Sequence, residues 1–387
     1  MKGLLTQSNV YFLFWCLYLL QGTLYKSGSS LSVMLIAIIL LMSSYHFYKV
    51  MSRRNRPKYF IGLIALVIMF SIYGLLLFIT DGQRTIGIVL RPLTINYLKN
   101  LLISLLPIFS CFYFSKKGLI NRKTLLYWVP IFLIVAIFQY YRKQREEYEA
   151  LLIDRDGITN NAGYIMLSLI PCMYVFKKRW IQIIGIAICF LFVLFGMKRG
   201  AILVAIVAVI VYIYQNMRIL SKSRKYIFLV GIIVLGALAF RYLEGSLFQN
   251  DYFNQRIEKT LEGNSSGRDE LYEDFVTAYF DRFNTLQQLV GIGANGTIKI
   301  SRNYAHNDWL EILINQGLLG LIVFASYWIL FYKTTKDKRI PTRSRNLLIL
   351  IFIMTLLRSF FSMSIGGNTI YIASVLGLAL TGGLDER

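Results

Sequence analysis

Long uninterrupted runs of apolar residues constrain this chain more than any other feature of its sequence. A run of about 20 residues forms a helix that can cross the hydrocarbon core of a bilayer, which is about 30 Å thick. Backbone groups within lipid must be satisfied inside the segment, so helices are the expected form. The sequence therefore predicts an all-α, polytopic membrane protein with about 12 transmembrane helices. The runs lie at 9–25, 31–48, 59–80, 97–115, 125–141, 163–176, 181–197, 201–216, 226–242, 308–332, 347–364 and 369–383.

Charge is scarce and unevenly distributed. Only 16% of the residues are charged, against about 25% in soluble domains. The formal charge is +22, but the basic residues lie in short loops rather than on a helix that could read bases, so no nucleic-acid partner is expected. With a cytoplasmic N-terminus, the inner loops hold 24 of the 42 Lys and Arg residues and three of the 20 Asp and Glu residues. The positive-inside rule therefore predicts that both termini are cytoplasmic.

One long segment divides the predicted spans. We expect transmembrane helices 1–9 in residues 1–242, a long loop on the outer side in 243–307, and helices 10–12 in 308–387; the family resemblance described below makes this loop periplasmic. Loops of that length are usually functional or disordered. Apolar residues such as Leu271, Phe275 and Tyr279 recur at helical spacing within it. This spacing predicts an amphipathic helix lying against the outer membrane face of the bundle.

Several cations fall on the predicted outer side. Lys198 and Arg199 form a tight turn between two runs, where a snorkelling arginine is the plain alternative to a binding role. Arg268 opens the amphipathic helix, where backbone N–H groups and a guanidinium can converge on a phosphate; a solvated loop arginine is the alternative. Arg358 lies inside an apolar run, which marks a candidate functional site by default. A structural partner for a buried carbonyl or acid is its alternative role.

His306 stands at the outer mouth of the tenth run. Histidine titrates near neutral pH and can remove a proton from a sugar hydroxyl. Asp308 and Glu311 follow closely and are candidates to orient the ring or the acceptor. A lone histidine is more often structural than catalytic, so these residues alone leave the role open. The four cysteines all lie in apolar runs without a CxxC pattern, so no disulfide framework or metal site is expected.

The glycines at 291, 293 and 296 match the GxGxxG pattern. No alternation of strands and helices surrounds them, and no acidic residue follows at the spacing of a dinucleotide site. This segment is instead predicted to be a tight turn that returns the chain to the membrane.

Three sequence motifs resemble the O-antigen ligase family. His306-Asn307, nine residues and then Gly317-Leu-Leu-Gly320 reproduce the H-N-x9-G-x-x-G pattern of that family. Gly267-Arg268 and Val290-Gly-Ile-Gly293 resemble the end of its long periplasmic loop. Lys198-Arg199-Gly200-Ala201 resembles its Ser-Arg-Gly-Ala turn, with lysine in place of serine. The resemblance covers roughly residues 160–330, while the first five spans match in topology only.

The resemblance implies an enzyme of the bacterial inner membrane whose active site faces the periplasm. Family members move a glycan from an undecaprenyl-pyrophosphate carrier to an acceptor hydroxyl. By resemblance, Arg199 and Arg268 bind the pyrophosphate and His306 acts near the acceptor. We group these three as catalytic, with substrate-binding roles expected at Arg358, Lys198, Asn307, Asp308 and Glu311. No metal or cofactor is expected, because two arginines can stabilise a departing pyrophosphate.

Two activities share this architecture. A polymerase extends a lipid-linked chain by one repeat unit, whereas a ligase transfers the finished polymer to lipid A-core. The modest length and Asp308 beside the histidine favour polymerase, with ligase as the alternative. The expected partners are the lipid-linked oligosaccharide, an acceptor glycan or lipid A-core, the bilayer and a chain-length regulator. A transporter or flippase for lipid-linked glycans is a third possibility, although no internal repeat or pair of broken helices supports it.

Overall fold

The computed structural model describes residues 6–81, 93–151, 162–196, 198–219, 267–301, 303–362 and 370–385, together with residues 225, 226, 230, 241 and 365. Regular structure in this part of the chain is helical. In chain order the helices are α1 Gln7–Leu19, α2 Ser30–Met51, α3 Tyr59–Asp81, α4 Leu93–Lys116, α5 Arg122–Leu151, α6 Ala162–Leu167, α7 Arg179–Phe195, α8 Arg199–Ile219, α9 Arg268–Thr277, α10 Thr285–Val290, α11 Gly296–Ser301, α12 Asp308–Thr335, α13 Thr342–Phe361 and α14 Ile370–Leu380. A 3-10 turn, Ile170–Val175, follows α6, and a π-helical turn, Ala278–Arg282, extends α9.

The helices are those of a multi-pass membrane protein. Within the described residues, seven helices are long and apolar enough to cross a membrane: α2, α3, α4, α5, α8, α12 and α13. The shorter apolar helices α7 and α14, and α6 with its 3-10 turn, coincide with three further predicted runs. The run at 226–242 lies almost entirely outside the described residues, so the count of twelve spans stays a prediction.

The fifth predicted run ends too early. Apolar character stops at residue 141, but α5 continues to Leu151. Arg142 pairs with Glu146 at 3.4 Å, and Lys143 pairs with the same carboxylate at 2.7 Å. Pairs at this spacing support a helix in water. The end of the apolar run therefore marks where the membrane can end, while the helix itself goes on.

The chain forms two compact units, each built from two stretches of sequence. The first comprises Met1–Ile36 and Asn121–Ser265, and the second Ala37–Ile120 and Ser266–Arg387. In the first unit α1 packs on α5, where the Trp128 indole donates to Asn9 Oδ1 at 2.9 Å. Helices α6, α7 and α8 pack on one another, and a Cβ on Gly196 would lie 3.0 Å from the Gly163 Cα, a tight contact.

The second unit is a bundle of spans around α12. Helix α3 packs along α12, and α4 packs along α14, in each case at a glycine. A Cβ on Gly62 would lie 2.7 Å from the Tyr327 Cα, and one on Gly377 would lie 2.6 Å from the Cys111 carbonyl carbon. Small residues let helices in a membrane approach each other closely. These contacts fix α12, whose first residues follow His306.

Candidate functional site

Helix α12 is interrupted at Gly317. This residue has φ 66° and ψ −164°, which no residue inside a helix adopts. The interruption divides α12 into an N-terminal half, 308–316, and a longer half, 318–335. Such a break leaves backbone carbonyls of the first half without helical partners. Helix breaks at membrane depth are tolerated where neighbouring protein satisfies those groups.

The turn at Val290–Gly293 supplies the missing donors. The Ile292 N–H donates to the Ile314 carbonyl at 3.0 Å, and the Gly293 N–H donates to the Asn315 carbonyl at 3.0 Å. Gly291 and Gly293 have positive φ angles of 76° and 95°. The prediction of a tight turn here is confirmed, and the turn acts as a backbone partner for the broken helix.

Tyr73 of α3 contacts both the Val290–Gly293 turn and the residue before the break in α12. Its hydroxyl donates to the Val290 carbonyl and lies 3.5 Å from the Gln316 carbonyl. One side chain thus joins the turn, the break and a neighbouring membrane helix.

Both positions of the G-x-x-G motif require glycine, because neighbouring atoms lie too close for a side chain. A Cβ on Gly317 would lie 2.5 Å from the Gly291 nitrogen and from the Leu289 carbonyl carbon. A Cβ on Gly320 would lie 2.2 Å from the Gln316 Cβ. Real Cβ atoms do not approach other atoms this closely, so a side chain at either position would displace the turn or the Gln316 side chain.

The His306-Asn307 pair forms the start of α12. The Asn307 side chain caps the helix, because its Oδ1 accepts from the N–H groups of Trp309 at 2.9 Å and Leu310 at 3.3 Å. Asn307 is therefore a structural cap, whatever contact it makes with substrate. His306 is half-buried and has a left-handed backbone, φ 51°. Such a conformation is uncommon for a residue with a side chain and persists only where surrounding contacts enforce it.

Glu311 supplies one of those contacts. Its carboxylate is buried, with 7% of the residue exposed. Oε2 accepts from the Ala305 N–H at 2.9 Å, while Oε1 accepts from the Thr297 hydroxyl at 2.6 Å and the Asn315 amide at 3.1 Å. The Asn315 Oδ1 in turn accepts from the Thr297 N–H at 3.2 Å. We call Thr297, Glu311 and Asn315 the polar clamp. It holds α11, the turn before His306 and the first half of α12 together.

The Glu311 carboxylate affects the ionisation of Tyr304, in the turn before His306. Burial, and secondly the Glu311 carboxylate, raise the pKa of Tyr304 above its usual value. Asp308, at the start of α12, is also buried.

The amphipathic helix α9 packs on this same half of α12. Its Phe275, and Tyr279 just beyond it, form a buried cluster with Ala305 and Ile314. The predicted helix is confirmed, and the buried part of its apolar face contacts protein. Residues 243–266 of the predicted loop lie outside the described part of the chain.

Arg268 and the first turn of α12 both contact α13, the helix that contains Arg358. A guanidinium N–H of Arg268 donates to the Phe361 carbonyl at 3.5 Å, one turn beyond the buried Arg358. The Trp309 indole donates to Ser359 Oγ at 3.0 Å, and its ring stacks on Phe360 with centroids 5.4 Å apart. The structure therefore brings Arg268, the Arg358 helix and the first turn of α12 to one end of the second unit.

Lys198 and Arg199 belong to the first unit. Arg199 is the first residue of α8, and Lys198 directly precedes it. The predicted tight turn before α8 falls at this point, although residue 197 is outside the description. Convergence of Arg199 with the residues of the second unit stays a prediction.

Sequence reasoning missed Thr297, Asn315 and Tyr73. Each acts through a partner that is distant in the chain or through a helix break that hydropathy does not reveal. Across the described residues, no group of three or more His, Cys, Asp or Glu side chains is placed to hold a metal ion. Metal independence of the reaction remains a prediction.

A family of known proteins matches part of this sequence. The sequence model of the O-antigen ligase family matches residues 184–325, which include Arg199, Arg268, the polar clamp and the H-N-x9-G-x-x-G motif. No curated protein matches the chain significantly. This match over residues 184–325 supports membership of the chain in the O-antigen ligase/polymerase superfamily.

Proposed function

We propose that this protein transfers a glycan from undecaprenyl pyrophosphate to an acceptor hydroxyl at the periplasmic face of the bacterial inner membrane. The supporting observation is that the residues of the matched family motif form one built structure, from the Asn307 cap to the helix break at Gly317. We favour a repeat-unit polymerase. The ligase activity named by the matched family is the second candidate.

The proposed reaction is a displacement at the anomeric carbon of the donor sugar. The acceptor hydroxyl oxygen forms a bond to that carbon while the bond from carbon to phosphate oxygen breaks. The electron pair leaves with undecaprenyl pyrophosphate. The hydroxyl proton passes to the His306 imidazole and then to solvent.

Arginines suit the leaving group in this scheme. The negative charge of the pyrophosphate grows as the glycosidic bond breaks, and a guanidinium can donate two parallel hydrogen bonds to it. We assign this role to Arg268 and Arg199, with Arg358 and Lys198 as further contacts to the donor. The position of Arg268 beside the end of α13 supports its part of the assignment.

Residues around His306 take distinct roles. Asn307 caps α12, and Glu311 accepts three hydrogen bonds from protein donors, so we assign both to positioning the His306 turn. Asp308 remains the candidate for contact with the acceptor. A chain-length regulator is a further expected partner of the polymerase activity.

Product analysis separates the two activities. Purified protein is incubated with lipid-linked repeat units alone, and in parallel with lipid A-core added. A polymerase produces a ladder that stays on undecaprenyl pyrophosphate in both reactions. A ligase produces no ladder and moves glycan only when lipid A-core is present. Absence of transfer in both reactions, with folded protein, would refute the proposed function.

Variants separate the arginine and histidine roles. Arg268→Lys keeps the charge but loses the planar two-pronged donor, and loss of one such donor lowers the rate by about 10²–10³-fold. His306→Ala is expected to lower the rate while leaving binding of the lipid-linked donor intact. The wild-type rate should fall at low pH, because a protonated imidazole cannot accept a proton. If His306→Ala instead abolishes donor binding, the histidine is a binding group. Addition of a chelator should leave the rate unchanged.

A further inference from the structure

Helix α10 exposes an apolar face. Leu286 is 67% exposed and Leu289 is 41% exposed, and residues three apart lie on the same side of a helix. The two glutamines between them both make hydrogen bonds. Gln287 completes a capping box with Asn284, and Gln288 exchanges hydrogen bonds with Tyr279 at 2.9 and 3.1 Å. Gln288 therefore ties the helix to Tyr279, the Gln287 pair lies at the exposed start of the helix itself, and the two leucines point outward.

Tyr73 fixes the level of α10 relative to the membrane. Its hydroxyl donates to the carbonyl of Val290, the last residue of α10. The apolar run of α3 extends to residue 80 and the helix to Asp81, so Tyr73 lies about 10 Å inside the end of that run at 1.5 Å per residue. Neighbouring Ile72, Leu75 and Leu76 are exposed, as expected for a surface in contact with lipid.

The position of the break at Gly317 gives a second indication of the depth of α10 in the membrane. The backbone of Gly317 packs against Leu289 and Gly291. Beyond the break, residues 318–335 form a helix about 27 Å long, which is close to the hydrocarbon thickness of about 30 Å. Leu318, Leu319 and Ile322 are exposed at its start. The exposed leucines of α10 therefore lie next to the exposed apolar residues at the start of a membrane span.

We propose that α10 is an interfacial anchor whose leucines insert into the bilayer leaflet at this end of the spans. Its partner is the acyl region of membrane lipid. Helices that lie in a membrane interface bury their apolar face about 5–10 Å deep, which agrees with the level set by Tyr73. The anchor holds the turn that satisfies the break in α12, and it is independent of whether the protein is a polymerase or a ligase.

A depth measurement in vesicles tests the anchor. A polarity-sensitive NBD label is attached at Leu286→Cys in the full chain, reconstituted in phosphatidylcholine vesicles with and without doxyl-labelled lipid. Glu273→Cys on the exposed side of α9 is the matched control. The native cysteines are buried, and labelling of the wild type measures their contribution.

The label at residue 286 should emit at shorter wavelength and be quenched about twofold by doxyl lipid, as expected for an interfacial position. The label at residue 273 should be quenched by aqueous iodide alone. Iodide quenching at residue 286 without doxyl quenching would overturn the proposal. A blue-shifted label that neither reagent quenches would also overturn it, because that result places the face against protein. Leu289→Cys provides a second position and should respond as residue 286 does.

Discussion

Replacement of Thr297 by valine tests whether the polar clamp stabilises the second unit. Thr297 is fully buried, and its hydroxyl donates to the Glu311 carboxylate at 2.6 Å. Valine has a similar shape but no hydroxyl. Hydrogen bonds to charged groups contribute about 1.5–3 kcal/mol, so Thr297→Val should lower the free energy of unfolding by about that amount. Glu311 retains its bonds to Ala305 and Asn315, so the loss should stay within this range.

Thr355→Val is the matched control. Thr355 is also buried, but its hydroxyl donates only to backbone carbonyls within its own helix, the nearer being Ile351 at 2.6 Å. Such bonds back to the helix add little, because the carbonyl retains its helical partner. The control should therefore cost less than about 1 kcal/mol.

Both variants are compared by denaturation of purified protein in detergent, and by amide exchange of the segment that contains Ala305. Thr297→Val should be the less stable variant, and it alone should speed exchange at Ala305, whose N–H donates to Glu311. Equal stabilities for the two variants, with unchanged exchange at Ala305, would refute the idea that the clamp holds the His306 turn.

Three further predictions concern the break, the cap and the orientation. Gly317→Ala places an alanine at φ 66° and ψ −164°, a conformation essentially restricted to glycine that costs about 1–3 kcal/mol, and adds a backbone clash. Gly118→Ala also has a positive φ angle but open space around it, so denaturation should show the first variant to be the less stable by at least about 1 kcal/mol. Asn307→Ala should cost about 0.5–2 kcal/mol as a lost cap, and Asn307→Asp, which can still cap, should restore the melting temperature. A reporter enzyme that is active only in the cytoplasm should be silent when fused near Thr285, and an active fusion would reverse the predicted orientation.

The membrane helices were predictable because long apolar runs have few alternative structures in lipid. Helices α3, α12 and α13 fall where hydropathy places them. The helix ends were less predictable, as the extension of α5 past residue 141 shows. Hydropathy reports where lipid ends, and only the pairs of Glu146 with Arg142 and Lys143 indicate that the helix continues.

The sequence motifs identified residues of the candidate site, but they did not predict the helix break or the hydrogen bonds that hold those residues. The polar residues Asn315 and Gln316 interrupt the apolar run just before Gly317, but such a pair does not by itself indicate a helix break, and a glycine with positive φ cannot be distinguished by sequence from a helical one. Thr297 carries no local signal, because its partner Glu311 lies fourteen residues away. The Asn307 cap did have a signal, an asparagine directly before an acidic first turn, which the catalytic interpretation of the motif obscured.

The nine residues between Asn307 and Gly317 form a helix of fixed length, and this gives the last prediction. One alanine inserted after Leu313 would rotate Glu311 by about 100° relative to Asn315. The clamp to Thr297 and the backbone pairing of Asn315 with Gly293 could then not form together. This insertion should therefore abolish glycan transfer and lower the melting temperature. An alanine inserted after Lys338, in the connection between α12 and α13, disturbs the surface pair of Asp337 and Arg339 and the turn bond from the Ile340 N–H to the Asp337 carbonyl. This insertion should cost less, because it leaves the clamp intact and exposed ion pairs contribute little to stability. If both insertions are tolerated equally, the nine-residue spacing has no structural cause of this kind.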